Sequence, residues 1–307
     1  MTDLALILGA VLLAAAGGEA FLKSILGAAI HLRVPKIVVA TTLAAFATSA
    51  PELTVSTVAA LTGQPEIGLG DALGSNVVNI ALIFGLALLY RSVQASRQDF
   101  SRDFYLALAV PVLTFFLMLD GRIERPEALV LLVVFLTWLV WTVRSALRQR
   151  ALTVEVEATE LSAGKSLLLG VLGLGALVAA GRLFVSGATG IAAALDVDTY
   201  VIGVLLVAIG TSLPELVTVI LSRLRGHDDV GVGTLIGSNL FNGLAIVGVA
   251  GTIHPIAAPL AEVAVTLACG IVALLLLLPN RRGQIVRGRS VMLLILYAGF
   301  VWATLNS

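Results

Sequence analysis

Charge is scarce in this chain: of 307 residues only 12% are Asp, Glu, Lys or Arg, about half the fraction of an ordinary soluble domain. Cysteine is nearly absent. Cys269 stands alone inside an apolar run, so no disulfide can form within the chain. Only three histidines occur, His31, His227 and His254, and all lie outside the motifs described below. The ligands preferred by zinc and copper are therefore missing where a site would be built. Neither sign of charge is in excess, since 19 basic residues balance 19 acidic ones. That balance by itself says nothing about partners, and no other feature calls for a nucleic acid or an obligatory protein partner.

Long apolar runs take up almost the whole length. The mean hydropathy is +1.04, and runs of about 20 residues match the hydrocarbon core of a bilayer. Ten such spans are read at roughly 3–22, 36–60, 67–90, 103–119, 127–147, 165–187, 199–222, 229–251, 258–279 and 290–305. The basic residues divide unequally between the two sets of loops. One set holds 16 of the 19, from Lys23, Arg33 and Lys36 through Arg144 and Arg148 to Arg287 and Arg289. The opposite side holds Arg122 and Arg125, with Arg182 near its edge. Cytoplasmic loops are the basic ones, which places both termini outside and the linker 148–164 inside. The first span lacks a basic leader and carries Asp3, so it reads as a helix and not a cleaved signal. The expectation is an all-α, multi-pass protein of the cell (inner) membrane.

Self-comparison reveals two copies of one unit. Thr48-Ser49-Ala50-Pro51-Glu52 returns as Thr211-Ser212-Leu213-Pro214-Glu215. Gly74-Ser75-Asn76-Val77-Val78-Asn79 returns as Gly237-Ser238-Asn239-Leu240-Phe241-Asn242, at the same displacement of 163 residues. Gly63, Gly68 and Gly70 keep that displacement with Gly226, Gly231 and Gly233. The repeats are 1–147 and 165–307, with motif regions 41–84 and 204–247 and a linker at 148–164. Five spans per repeat is an odd number, so the second repeat crosses in the opposite sense. Inverted repeats of this kind recur in secondary transporters, with the substrate site near the midplane.

The residues in the motifs suit a hard cation. An ionised side chain in the middle of a span costs about 2.5–3.5 kcal/mol, and no Lys or Arg lies at the depth of Glu52 or Glu215. A mobile cation is the natural counter-charge. Pro51 and Pro214 have no N–H, so the carbonyls of Ala47 and Gly210 lose their helical donors and the second and seventh spans should break. Ser49 with Glu52, Ser75 with Asn79, Ser212 with Glu215 and Ser238 with Asn242 each share a helical face. Together they offer carboxylate, amide, hydroxyl and carbonyl oxygens, and calcium takes six to eight oxygens at about 2.3–2.6 Å. Gly74 and Gly237 are expected to let helices approach closely.

These duplicated motifs resemble the α-repeats of the calcium/cation antiporter superfamily, in its prokaryotic sodium/calcium exchanger branch. The resemblance implies ten helices with broken second and seventh spans, and antiport of sodium against calcium by alternating access. It further implies a ligand set of Ala45, Thr48, Ser49, Glu52, Ser75, Asn79, Ala208, Thr211, Ser212, Glu215, Ser238 and Asn242, with Ala45, Thr48 and their counterparts acting mainly through carbonyls. In such exchangers the first and sixth helices slide, and Gly17-Gly18 with Gly170, Gly173 and Gly175 suit such a surface. The sequence departs from the family pattern at Ala47, at Asp71 and Thr234 where many relatives have Asn, and at the neutral Asn242. A calcium/proton antiporter of the same superfamily is the nearest alternative. No cofactor is implied beyond the transported ions. An enzyme is not expected, because neither Ser49 nor Ser212 has a His or Lys nearby to act as base. Asp71, four residues before Ser75, either bonds a neighbouring helix or takes part in ion entry from the outer side, in which case Asp71→Asn should shift the external cation affinity. Glu19 is expected to pair with Lys23 along one helix.

Overall fold

The computed structural model describes residues 2–94, 97–150, 162–194, 208–280 and 283–305. Residues 151–161 of the linker, residues 199–207 at the start of the seventh span and of the second motif region, and Arg281 and Arg282 lie outside them. The described residues are almost entirely helical. The helices are α1 (Thr2–Leu32), α2 (Lys36–Thr48), α3 (Ala50–Leu61), α4 (Pro65–Tyr90), α5 (Arg97–Leu117) and α6 (Arg125–Arg150). They continue with α7 (Ala163–Ala194), α8 (Ala208–Thr211), α9 (Leu213–Leu224), α10 (Asp228–Ile253), α11 (Leu260–Leu276) and α12 (Arg289–Leu305). Among the described residues five helices are long and apolar enough to cross a membrane, or six if α2 and α3 count as one broken span. The 17-residue α11 and α12 are apolar but shorter.

The 163-residue displacement governs the local backbone as closely as the sequence. Ser49 and Ser212 interrupt their helices with the same torsions, φ −83° and ψ 9°. Gly63 and Gly226 end the following helices at φ 78° and 80°. At each of these turns the next N–H reaches back five residues, from Gln64 to Ala59 and from His227 to Ser222. This is the Schellman closure, which asks for a left-handed residue that glycine adopts at no steric cost. A π-helical stretch follows in each copy, Val78–Phe84 in α4 and Phe241–Ile246 in α10.

The chain forms two compact units, residues 1–48 with 143–234 and residues 49–142 with 235–307. Each draws on both sequence copies. In the first unit α1 and α7, the corresponding helices of the two copies, run antiparallel along a seam of small residues. Gly17 meets Gly173 and Ala176, Gly170 meets Ser24, Gly27 meets Ser166, and Gly190 meets Asp3. A Cβ on Gly173 would lie 2.6 Å from the backbone nitrogen of Phe21, so only glycine permits that approach. Gly18 faces Val217 and Leu221 of α9, while Gly175 touches nothing. Glu19 pairs with Lys23 at 3.4 Å and also with Arg225 at 2.8 Å, a partner that helical spacing alone does not reveal.

In the second unit α3 packs on α4 through Ser56, whose hydroxyl donates to the Gly68 carbonyl at 3.0 Å. The close helix approach expected at Gly74 falls on Gly68 instead. A Cβ at Gly68 would sit 2.8 Å from the Ser56 Cα, whereas one at Gly74 would meet nothing within 4 Å. The reason is the helical face: Gly68 points at α3, and Gly74 lies beside open space. Two short antiparallel pairs tie the copies together. β1 (Val93–Gln94) joins β4 (Gln284–Ile285), and β2 (Arg122–Ile123) joins β3 (Ile256–Ala257). Arg125 caps the end of α10 by donating to the Thr252 and Ile253 carbonyls. Arg289 does the same for α11 at Leu276 and Leu278, as basic groups do at helix C-termini.

Candidate functional site

Each break places a serine at the N-cap and a glutamate three residues into the new helix, in the pattern of a capping box. The serines do not cap: neither Ser49 nor Ser212 makes a side-chain bond to its helix N-terminus. Glu52 and Glu215 are each only 1% exposed, and each lies in the first turn of its helix. The positive end of a helix stabilises a carboxylate by roughly 0.3–1 kcal/mol, up to about 2 in partly buried geometries. That offsets part of the burial of the charge, which is several kcal/mol.

In the second unit the residues singled out by sequence are Ser49, Glu52, Ser75, Asn79, Ser238 and Asn242, and all six are buried. α3, α4 and α10 supply them. The Ser75 hydroxyl and the Asn79 amide oxygen are buried without a hydrogen-bond partner, as are both side-chain polar atoms of Asn242. An orphaned buried group costs about 1–3 kcal/mol, and the oxygens among these are of the type that a hard cation would satisfy. Asn79 and Asn242 stand in the two π-helical stretches, where the widened turn is a frequent mark of functional sites.

In the first unit lie Ala45, Thr48, Thr211, Ser212 and Glu215. Thr48 bonds the Ala45 carbonyl at 3.3 Å, and the Ser212 hydroxyl is buried without a partner. Ala208 begins α8. The Gly210 carbonyl, deprived of its donor by Pro214, is met by Gly181 of α7, where a Cβ would lie 2.5 Å from the oxygen. Among the described residues no three His, Cys, Asp or Glu side chains cluster. The donors on offer are hard oxygens, mostly neutral, as alkali and alkaline-earth ions prefer.

Asn76 and Asn239 were not among the sequence candidates, yet they organise the second unit. The Asn76 amide donates to the Asn239 carbonyl at 3.2 Å, and the Asn239 amide returns the bond to the Asn76 carbonyl at 3.2 Å. Asn79 then donates to the Asn239 side-chain oxygen at 3.1 Å. The signal was in the sequence: the central Asn of each Gly-Ser-Asn motif is duplicated as faithfully as the serine beside it.

The family described as sodium/calcium exchanger protein matches residues 2–144 and 165–306, nearly the whole chain. The chain belongs to this family. It is therefore a membrane antiporter and not an enzyme. The sodium/calcium exchanger MaX1 of Methanosarcina acetivorans is 29% identical and aligned over 97% of both chains. The inner membrane protein YrbG of Escherichia coli is 36% identical over 72% of this chain and 71% of that protein. A solved structure of the sodium-calcium exchanger NCX_Mj, soaked without sodium or calcium, superposes with a TM-score of 0.85 at 28% identity over 99% of both chains.

Proposed function

We propose that the chain exchanges sodium for calcium across a cell membrane by alternating access. The observation that carries this reading is the pair of glutamates, each buried in the first turn of a proline-broken helix beside a serine that does not cap it. The twelve residues from Ala45 to Asn242 named above supply the ligands. Glu52 and Glu215 carry the charge, the serine hydroxyls and the asparagine amide oxygens add neutral donors, and the Ala45, Thr48, Ala208 and Thr211 ligands act mainly through their carbonyls. The reading includes ten spans in two inverted repeats, 1–147 and 165–307, joined by a cytoplasmic linker at 148–164, with both termini outside. The antiparallel seam of α1 and α7 supports the inverted sense of the copies, and the excess of Arg and Lys on one set of loops supports the orientation.

Sodium is favoured over protons as the coupling ion by the number of neutral oxygens, which would be superfluous if two carboxylates only exchanged a proton. The test is calcium uptake into proteoliposomes against imposed sodium, proton or potassium gradients. Uptake should follow the sodium gradient. Uptake driven by a pH gradient in sodium-free medium would replace this reading with the calcium/proton one.

A further inference from the structure

The two copies differ at one position that matters. Asp71 of α4 corresponds to Thr234 of α10 at the same displacement of 163 residues. Thr234 is satisfied within its own helix, donating to the Val230 carbonyl at 2.9 Å. Asp71 makes no hydrogen bond and no ion pair among the described residues, and its Oδ2 is shut off from solvent. A carboxylate so placed is costly unless a counter-ion meets it.

Asp71 is the first rung of a ladder. Ser75 and Asn79 follow at intervals of four residues, which places the three side chains on one face of α4. Asp71 Oδ2, Ser75 Oγ and Asn79 Oδ1 are all buried without a partner, and Ser75 and Asn79 are each 1% exposed. Beside this stripe the helix carries Gly70 and Gly74, where an added Cβ would meet no atom within 4 Å. With a rise of 1.5 Å per residue, Asp71 lies about 9 Å and Ser75 about 15 Å from the start of α4 at Pro65, so the ladder runs from the Gly63 turn toward the middle of the span.

We infer that Asp71 is a loading site for the transported cation on the Gly63 side alone, handing the ion through Ser75 to Asn79. The inference rests on the antiport reading and deepens it: the exchanger is two-sided by its repeats but binds ions unequally at its two faces. In the charge-bias orientation this face is the outer one.

The size of the effect follows from charge. A unit negative charge about 6 Å from the ion favours a monovalent cation about threefold and a divalent one about tenfold in bulk water, and a site shielded from solvent exceeds these lower limits. The experiment is exchange by protein reconstituted in one orientation, with the half-saturating calcium and sodium concentrations measured at each face. Asp71→Asn should raise the calcium value at the Gly63 face at least about tenfold and the sodium value at least about threefold, leaving the values at the opposite face unchanged, and Asp71→Glu should restore both. An unchanged value at the Gly63 face, or an equal rise at both faces, overturns the inference. Should Asp71→Asn fold poorly, terbium binding to Glu52→Gln protein decides: weak binding that competes with calcium and disappears on adding Asp71→Thr upholds the site, and binding untouched by that change removes it. Full exchange by Glu52→Gln itself would instead overturn the wider reading of the glutamates, an outcome separable from both.

Discussion

A buried glutamate can be a structural liability or a ligand, and the two roles respond differently to its ion. Glu52→Gln and Glu215→Gln remove the charge and keep the shape, so each should fold but lose calcium exchange in proteoliposomes. Calcium should raise the melting temperature of the unaltered protein, because a ligand at 100 times its dissociation constant adds about 2.7 kcal/mol to the folded state. That rise should vanish in both variants, as a thermal shift with and without calcium would record. Gly68 and Gly74 give a second test at this scale. Gly68→Ala forces a methyl group against the Ser56 backbone and should cost about 1–3 kcal/mol, the usual penalty for overpacking. Gly74→Ala meets nothing and should leave the melting temperature unchanged or higher. A reversal of these two results would show the α3–α4 packing to be misassigned.

The elements that matter are those whose regularity is broken. Pro51 and Pro214 withdraw a donor from the Ala47 and Gly210 carbonyls, and Ser49 and Ser212 take the torsions that the break requires. Alanine at either proline restores the N–H and gives the helix a chance to close. Pro51→Ala and Pro214→Ala should therefore keep or raise thermal stability while slowing exchange by about tenfold, about 1.4 kcal/mol in the barrier, measured as initial calcium flux. The breaks were legible in the sequence because proline announces them. The π-helical stretches at Val78–Phe84 and Phe241–Ile246 were not, since a single extra residue per turn leaves no compositional mark. Gly68 was passed over for a similar reason. Which of several glycines on one helix meets a neighbour depends on that neighbour's position, and the motif drew attention to Gly74 instead.

For the whole molecule, the sequence laid out the repeat because an undisturbed displacement of 163 residues is visible without any structure. It left hidden how the copies share space. The reciprocal Asn76–Asn239 bonds and the paired strands unite residues that lie far apart along the chain, and no periodicity encodes such meetings. Gln94 and Gln284 stand opposite each other on the β1–β4 pair, where Cα atoms approach to about 4.5–5.5 Å, within disulfide reach. Cysteines at both positions should cross-link on oxidation, and exchange should persist within about twofold if the second unit moves as a rigid body through the cycle. Loss of flux on cross-linking, regained on reduction, would place an internal rearrangement there.

The interleaving of the copies reaches back to their origin. Since β1 finds its partner in β4 and β2 in β3, and each unit takes helices from both halves, half a chain would be left with unpaired edges and unfinished packing. If the copies are inverted as proposed, an ancestor encoding one repeat had to insert in both orientations and assemble with itself before the gene doubled. The descendant should still remember this: the two halves, expressed as separate polypeptides in one cell, should find each other and restore transport, and neither should do so alone.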